Sequence, residues 1–139
     1  MIIINTDGGS RGNPGKAAIG IVIWDENRKV LEKHKEKIGV TTNNVAEYKA
    51  LIKALELALK YTGHKKEGTK EITVFMDSEL IVRQLNGIYR VKQAHLIPLF
   101  ETVKKAEHQF KKVSYYHVFR EDRYQREADR LVNEALDGF

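Results

Sequence analysis

Four carboxylates of this chain lie where acidic side chains can bind a cation: Asp7, Glu47, Asp77 and Asp129. Asp7 and Asp77 each follow an apolar run that is typical of a buried strand. Because ligands bind beyond the carboxyl ends of parallel strands, we expect these two side chains to face each other if their strands are neighbours. Clustered carboxylates repel unless a cation neutralises them, and oxygen ligands alone favour Mg²⁺ or Mn²⁺ over zinc.

Each of these carboxylates also has an ordinary structural interpretation. Asp7 with the glycine that follows it is a turn signal in a Gly-rich hairpin, and Asp77 could cap the next helix. Asn44-x-x-Glu47 is a capping-box pattern, although Glu47 leans towards the apolar side of its helix. Asp129 flanks an apolar helix face, where a carboxylate is costly unless it is paired or binds a metal. Four such placements in one small chain favour a metal site.

Composition limits the classes of protein that are possible. The chain has 139 residues, 42% of them hydrophobic, and no cysteine, which excludes disulfides, thiolate catalysis and Cys-ligated zinc. No apolar run approaches the roughly 20 residues of a membrane span, and no export leader is recognisable, so we expect a cytoplasmic protein without membrane contact. The net charge of +5 suits a polyanionic partner, although lysine-rich helix faces would give the same total. A basic chain with a carboxylate-only metal site indicates phosphoryl transfer on nucleic acid.

Hydrophobic periodicity predicts the element order βββαβααβα, an antiparallel meander followed by strand–helix alternation and therefore an α/β fold. A Gly-rich turn follows Asp7, and a polar loop is predicted at 63–70. The predicted strands are 1–7, 17–24, 29–38, 71–76 and 113–119, and the predicted helices are 45–61, 79–85 with Ser78 as cap, 94–110 and 126–136.

Four sequence blocks together resemble type 1 ribonuclease H: Asp7-Gly-Gly-Ser-Arg-Gly-Asn-Pro-Gly15, Thr42-Asn-Asn-Val-Ala-Glu47-Tyr48, Met76-Asp77-Ser78 with Gln84-Leu-Asn-Gly87, and Glu127-Ala-Asp129-Arg-Leu. They occur in the family's order, near its spacing, and span nearly the whole chain. The resemblance implies that residues 1–139 are a single ribonuclease H domain. The implied fold has three layers, with helices flanking a five-stranded mixed sheet of order 3-2-1-4-5.

The resemblance also implies an activity and a partner. The RNA strand of an RNA–DNA hybrid would be hydrolysed by two-metal-ion catalysis, leaving 3′-hydroxyl and 5′-phosphate ends. Two Mg²⁺ ions would bind with substrate, Mn²⁺ would substitute for them, and double-stranded RNA is a further candidate substrate. No obligate protein partner is evident, so a monomer is expected. The residues that match the catalytic and metal-binding carboxylates are Asp7, Glu47, Asp77 and Asp129.

The same resemblance assigns substrate contacts. Asn13 and Thr42 match a pocket for a DNA phosphate, whereas Ser10, Asn43 and Asn44 match a ridge that contacts RNA 2′-hydroxyls, the group by which a protein separates RNA from DNA. The full set of implied substrate-binding residues is Gly8, Ser10, Arg11, Gly12, Asn13, Thr42, Asn43, Asn44 and Ser78.

The chain departs from the family pattern at three places. The segment 85–96 is too short for the basic protrusion of some members, so hybrid binding would rest on nearby residues, namely Arg83, Tyr89, Arg90 and Lys92, unless these form only a solvated basic surface. Glu79 replaces a glutamine that often follows the Asp-Ser pair. The loop before the last helix lacks the family's histidine; Arg120 or Arg123 could substitute, while His117 is predicted to be a structural histidine within a strand.

Two alternative functions remain open on the same fold. One is a non-catalytic module that binds hybrids or double-stranded RNA, although inactive relatives usually lose a carboxylate and this chain keeps four. The other is a transposase or integrase core, which the Asn43-Asn44 pair and the absence of further domains disfavour.

Overall fold

The computed structural model of this protein describes residues 1–62 and 70–139, so the predicted polar loop lies, except for Lys70, outside the described residues. The described residues form five strands and four α-helices, with a 3-10 turn at Leu59–Tyr61. The strands are β1 (Ile2–Gly12), β2 (Gly15–Asp25), β3 (Val30–Thr41), β4 (Glu71–Met76) and β5 (Lys112–His117). The helices are α1 (Asn43–Ala58), α2 (Glu79–Leu85), α3 (Ile97–Glu107) and α4 (Gln125–Asp137).

The strands make one mixed sheet in the order β3-β2-β1-β4-β5, which confirms the predicted topology. β1 lies at its centre, antiparallel to β2 and parallel to β4. The pairing of β1 with β4 ends at Asn5↔Phe75, whereas its pairing with β2 continues to Gly12↔Gly15. Beyond Asn5, β1 therefore has one edge that no strand of the described residues covers, and a cleft opens there.

The first strand is longer than predicted, and the turn predicted directly after Asp7 is wrong. Gly8 and Gly9 pair with Ile19 and Ala18, and the chain reverses only at 13–14, between Gly12 and Gly15. Glycine within a strand often marks the close approach of another backbone, and Gly8 has that role here. Asp7 thus lies inside a strand and not at its end.

Other element boundaries differ by a few residues. β3 continues to Thr41, three residues beyond the predicted end, because its pairing with β2 persists to Gly15↔Thr41. α3 begins at Ile97 rather than at position 94, with Pro98 in its first turn, where a missing N–H costs no hydrogen bond. α2 and α4 match their predictions closely, with Ser78 as the N-cap of α2 and Gly138 in left-handed conformation after α4.

Helices cover the two faces of the sheet unequally. α1 buries the predicted apolar face, formed by Tyr48, Leu51, Leu55 and Ala58, in the main core, which also includes α2 and α3. On the opposite face α4 packs against β1 and β2, where Leu131 joins Trp24 in a smaller apolar cluster. Within the described residues, no helix is long and apolar enough to cross a membrane.

Candidate active site

Three of the four predicted carboxylates meet where β1 and β4 diverge. Among the described residues, Asp7, Glu47 and Asp77 each offer a carboxylate oxygen, and these atoms lie within 4.8 Å of one another. Asp7 projects from β1, Asp77 directly follows β4, and Glu47 reaches across from α1. The expectation that the first two face each other across neighbouring parallel strands is confirmed.

Glu47 does not close a capping box, so that interpretation was wrong. The N-cap of α1 is Thr42, whose Oγ1 accepts a hydrogen bond from the backbone N–H of Val45 at 3.3 Å. Glu47 Oε1 instead accepts from the backbone N–H of Gly8 at 2.9 Å. Its Oε2 is buried and has no hydrogen-bond partner in the described part of the chain. A buried, unpaired carboxylate oxygen is costly, and a bound cation would relieve it.

Two glycines let the flanking helices come close to Asp7. A Cβ on Gly8 would lie 2.4 Å from the Ala46 carbonyl carbon, so the residue must be glycine for α1 to pack here. Gly20 is the partner of Asp7 across β1 and β2, and a Cβ there would lie 2.2 Å from the Ala128 carbonyl oxygen of α4. The helices bearing Glu47 and Asp129 are thereby brought against the same point of the sheet.

Like charge and burial together disfavour ionisation of the cluster. The pKa of Asp7 is raised well above its ordinary value by burial, then by repulsion from Glu47 and Asp77. Burial, with repulsion from Asp77, raises the pKa of Glu47 to about 8. The pKa of Asp77 is also raised, chiefly by burial and by Asp129. A bound cation would offset this repulsion and favour the ionised form of the three carboxylates.

Asp129, the fourth predicted carboxylate, stands apart from the other three. It lines the same cavity of about 420 Å³ but is not part of the 4.8 Å cluster. Its side chain is 29% exposed, and Oδ1 lies 3.9 Å from Nη2 of Arg120. Arg120 also lines the cavity, whereas Arg123 packs over the Tyr124 ring at 5.1 Å and is not among the lining residues.

The predicted substrate-binding residues fall into two groups. Ser10 donates its backbone N–H to Asn43 Oδ1 at 2.9 Å, and the backbone N–H of Asn43 donates to Asn13 Oδ1 at 3.0 Å. These bonds join the tip of β1 to the start of α1 and make one continuous ridge. The residues that line the cavity are Gly8, Ser10, Arg11, Asn43, Asn44 and Ser78; those outside its lining are Gly12, Asn13 and Thr42.

The remaining candidates are distributed around the cleft. His117 is the last residue of β5 rather than an interior residue of a longer strand, and its side chain is exposed rather than packed in the core. Glu79 pairs with Arg83 at 2.6 Å. Tyr89, Arg90 and Lys92, which the sequence suggests for hybrid binding, line a separate cavity of about 400 Å³.

Several residues at the site were not singled out by the sequence patterns. Asn133 lines the cleft and accepts a hydrogen bond from Arg11 at 3.5 Å. Gln125 is fully buried at the start of α4. Gly20 was also not singled out, but its sequence context could have revealed it, since a glycine within an apolar strand indicates a close backbone approach. The two amides sit in polar stretches where nothing in the sequence marks burial.

This strand order with carboxylates at the divergence of the central strands defines the ribonuclease H-like class of folds. A family described as "Reverse transcriptase-like" matches residues 5–135. LC11-RNase H1, solved in complex with an RNA/DNA hybrid, is 47% identical with a TM-score of 0.90, over 99% of this chain and 97% of that one. RNase H1 from the archaeon Halobacterium salinarum is 36% identical with a TM-score of 0.88, over 99% and 98%.

A longer relative is the Bifunctional protein Rv2228c of Mycobacterium tuberculosis, 42% identical over 138 residues. The match covers 98% of this chain and 35% of that protein, so the chain spans about a third of its length. On these comparisons the chain belongs to the type 1 ribonuclease H family. The family depends on divalent metal, and the oxygen-only donor set with its orphaned Glu47 Oε2 fits such an ion.

Proposed function

We propose that this protein is an endoribonuclease that hydrolyses the RNA strand of RNA–DNA hybrids, leaving 3′-hydroxyl and 5′-phosphate ends. Mg²⁺ is the proposed metal, two ions with substrate, and Mn²⁺ substitutes for it. Residues 1–139 act as one ribonuclease H domain without an obligate protein partner. The observation that carries this proposal is the Asp7–Glu47–Asp77 cluster, with Asp7 and Glu47 buried and Asp77 half-buried, in a cleft whose rim is an amide-rich ridge.

The carboxylates hold the metal and are themselves held by the fold. Bound divalent ions supply charge stabilisation for the phosphodiester and an activated water. Asp7, inside a paired strand, has little freedom to move, which suits the central ligand. Gly8 N–H fixes one oxygen of Glu47 and leaves Oε2 for the ion. Asp77, which is half-buried, completes the cluster, and Asp129 provides the fourth carboxylate from the opposite wall.

The ridge distinguishes RNA from DNA. Asn43 uses Oδ1 to accept from Ser10, which leaves its Nδ2 group to donate to a 2′-hydroxyl. Asn44 and Ser78 line the same cleft on either side of Glu47 and Asp77. Asn13 and Thr42, at the outer end of the ridge and outside the cleft lining, form the proposed pocket for a phosphate of the DNA strand. Gly8, Arg11 and Gly12 shape the β1 side of this surface.

A test of the proposed activity uses three labelled substrates of one sequence: an RNA–DNA hybrid, an RNA duplex and a DNA duplex. Each is incubated with and without Mg²⁺. We expect cleavage of the hybrid's RNA strand that depends on the metal, and an intact DNA duplex. Metal-dependent binding of the hybrid without cleavage would establish the alternative, a non-catalytic module. Cleavage of the RNA duplex would extend the substrate range to double-stranded RNA.

The salt dependence of hybrid binding measures how many phosphates the protein contacts. Because the segment 85–96 carries no long basic protrusion, we expect log K for the hybrid to fall with log[salt] at a slope that reflects only a few phosphate contacts. Binding is measured with Ca²⁺ in place of Mg²⁺. A slope typical of ten contacts would show a basic binding surface beyond Arg83, Arg90 and Lys92.

A further inference from the structure

Two buried amide side chains join α4 to the central strand next to the candidate site. Asn5 on β1 is 1% exposed and Gln125, the first residue of α4, is fully buried. Asn5 Nδ2 donates to Gln125 Oε1 at 3.0 Å. Neither residue lines the cleft, so neither can touch the substrate there.

Each side-chain nitrogen and oxygen of the pair has at least one hydrogen-bond partner. Gln125 Nε2 donates to the backbone carbonyl of Thr6 at 2.8 Å, on the edge of β1 that no described strand covers. Asn5 Oδ1 accepts from Trp24 Nε1 at 3.0 Å and from Arg28 Nη1 at 2.9 Å. A buried network in which every polar atom is bonded favours one arrangement, because displacing a member leaves a polar group unpaired. The amides therefore fix how α4 is set against β1.

The guanidinium of Arg28 also contacts the residue that precedes α4. Arg28, in the turn between β2 and β3, places its guanidinium 3.8 Å from the centroid of the Tyr124 ring. Tyr124 is the residue directly before Gln125. The start of α4 is thus held by a stacking contact and by the amide pair together.

The spacing of the amides repeats that of two carboxylates. Asn5 and Asp7 are two residues apart in a strand and so share one face of the sheet. Gln125 and Asp129 are four residues apart in a helix and so share one helix face. The amide pair and the carboxylate pair are therefore successive positions along the same strand and helix, with the neutral pair bonded and the charged pair repelling.

We propose that the Asn5–Gln125 amide pair is a positioning element that sets Asp129 against Asp7 for metal binding. Asp7 and Asp129 repel each other before an ion binds, so they cannot fix each other's position. The neighbouring neutral amide pair fixes the position of Asp129 instead. The inference rests on the proposed function for its kinetic readout, but not for its metal-binding readout. Gln125 acts through Asp129 and makes no contact with substrate.

Gln125→Leu tests this role, with Tyr115→Phe as the matched control. Tyr115 is also buried and donates one hydrogen bond, to Glu107 at 2.6 Å, far from the cleft. For Gln125→Leu we expect a fall in kcat of at least about tenfold, the usual cost of losing a residue that orients a metal ligand. KM for the hybrid should change less than twofold, since the ridge is untouched. Tyr115→Phe should keep both values, and Gln125→Asn replaces the leucine variant if that variant does not fold.

A double-mutant cycle with Asp129→Asn separates positioning from general stability. The readouts are kcat and the rise in melting temperature that Mn²⁺ alone produces. Gln125→Leu should reduce both in the wild-type background and neither in the Asp129→Asn background. Full additivity of the two substitutions would overturn the proposal, as would an unchanged Mn²⁺-induced rise in Gln125→Leu. A wild-type protein that binds Mn²⁺ but cleaves no hybrid would overturn the proposed function alone, because the Mn²⁺ cycle still decides the role of the amide pair.

Discussion

The two walls of the cleft hold their carboxylates in opposite ways. On one wall Asp7 and Glu47 are 7% and 6% exposed, beside Asp77, and their charges repel. On the other wall Asp129 is 29% exposed and has Arg120 as its neighbour. The first wall therefore buries acidic groups that repel one another, whereas the second pairs an exposed carboxylate with a guanidinium at the surface.

This difference shows where the fold was shaped for a cation. Burying like charges is unfavourable, and the structure sustains it through a paired strand, a glycine contact and the backbone N–H of Gly8. Asp129 needs no such support, since water and Arg120 already stabilise its charge. We therefore expect substitutions on the buried wall to change metal binding and stability together. Substitutions on the exposed wall should change metal binding and turnover, with little effect on the stability of the metal-free protein.

The largest effect is expected from Asp7→Asn. The variant should lose hybrid cleavage by at least about 10³-fold, the upper range for removing one preorganised electrostatic group. Its circular dichroism spectrum should match wild type, because asparagine has the same shape. Asp25→Asn is the control, since Asp25 Oδ1 only accepts from turn amides at Asn27 and Lys29. Full activity of Asp7→Asn would contradict the assignment of the site.

Gly8→Ala should displace α1, which carries Glu47, by a steric clash. Its Cβ would lie 2.4 Å from the Ala46 backbone, so α1 must shift at a cost of about 1–3 kcal/mol in the free energy of unfolding. Gly9→Ala is the matched control, because its Cβ would meet Val132 at an ordinary 3.7 Å. Urea unfolding of both variants measures the difference. Equal stability of the two would show that α1 does not need this close approach.

The metal-free protein should lose stability as pH rises. The folded-state pKa values of Asp7 and Glu47 are raised, so their contribution is complete below the unfolded values near 4 and is lost as pH rises through the folded value, about 8 for Glu47. Asp7→Asn lacks one such group. In EDTA its stability relative to wild type should therefore grow between pH 5 and pH 8 by at least about 1.4 kcal/mol, the equivalent of one pKa unit. A difference that does not vary with pH would contradict the raised pKa.

The smallest effect is expected on the exposed wall. Arg120→Ala removes a loose pair of 3.9 Å, which should change the free energy of unfolding by less than about 1 kcal/mol. Turnover of the hybrid should nevertheless fall several-fold, because Arg120 lines the cleft. Arg123→Ala should leave turnover unchanged, since Arg123 packs over Tyr124 outside the cleft. Equal turnover in the two variants would remove Arg120 from the site.

The strand order was predicted from the resemblance of four sequence blocks to a known family, whereas the carboxylate cluster left local patterns. Apolar runs that end near Asp7 and Asp77 indicated two strands whose carboxylates would meet if the strands were neighbours, and the wheel of α1 indicated that Glu47 leans inward. The extent of β1 could not be read in the same way. Its glycines resemble a turn signal, and only the packed fold shows that Gly8 lies against the Ala46 backbone of α1, far away in the chain.

The amide pair was beyond the reach of the sequence for a related reason. Asn5 and Gln125 are 120 residues apart, and asparagine or glutamine is usually exposed. Only the packing of α4 on β1 buries them and makes their partners available. Local patterns thus predicted the residues that repel one another but not the residues that hold them in place.

The hydrogen bond from Gly8 N–H to Glu47 provides the molecule with its own spectroscopic probe. The proton of this amide lies between a backbone and the carboxylate that a metal would bind, at 2.9 Å from Oε1. Its nuclear magnetic resonance frequency should respond to every change in the charge of Glu47. The neighbouring bond from Ser10 N–H to a neutral amide provides an internal reference two residues away. Metal occupancy could then be followed without substrate, label or catalysis.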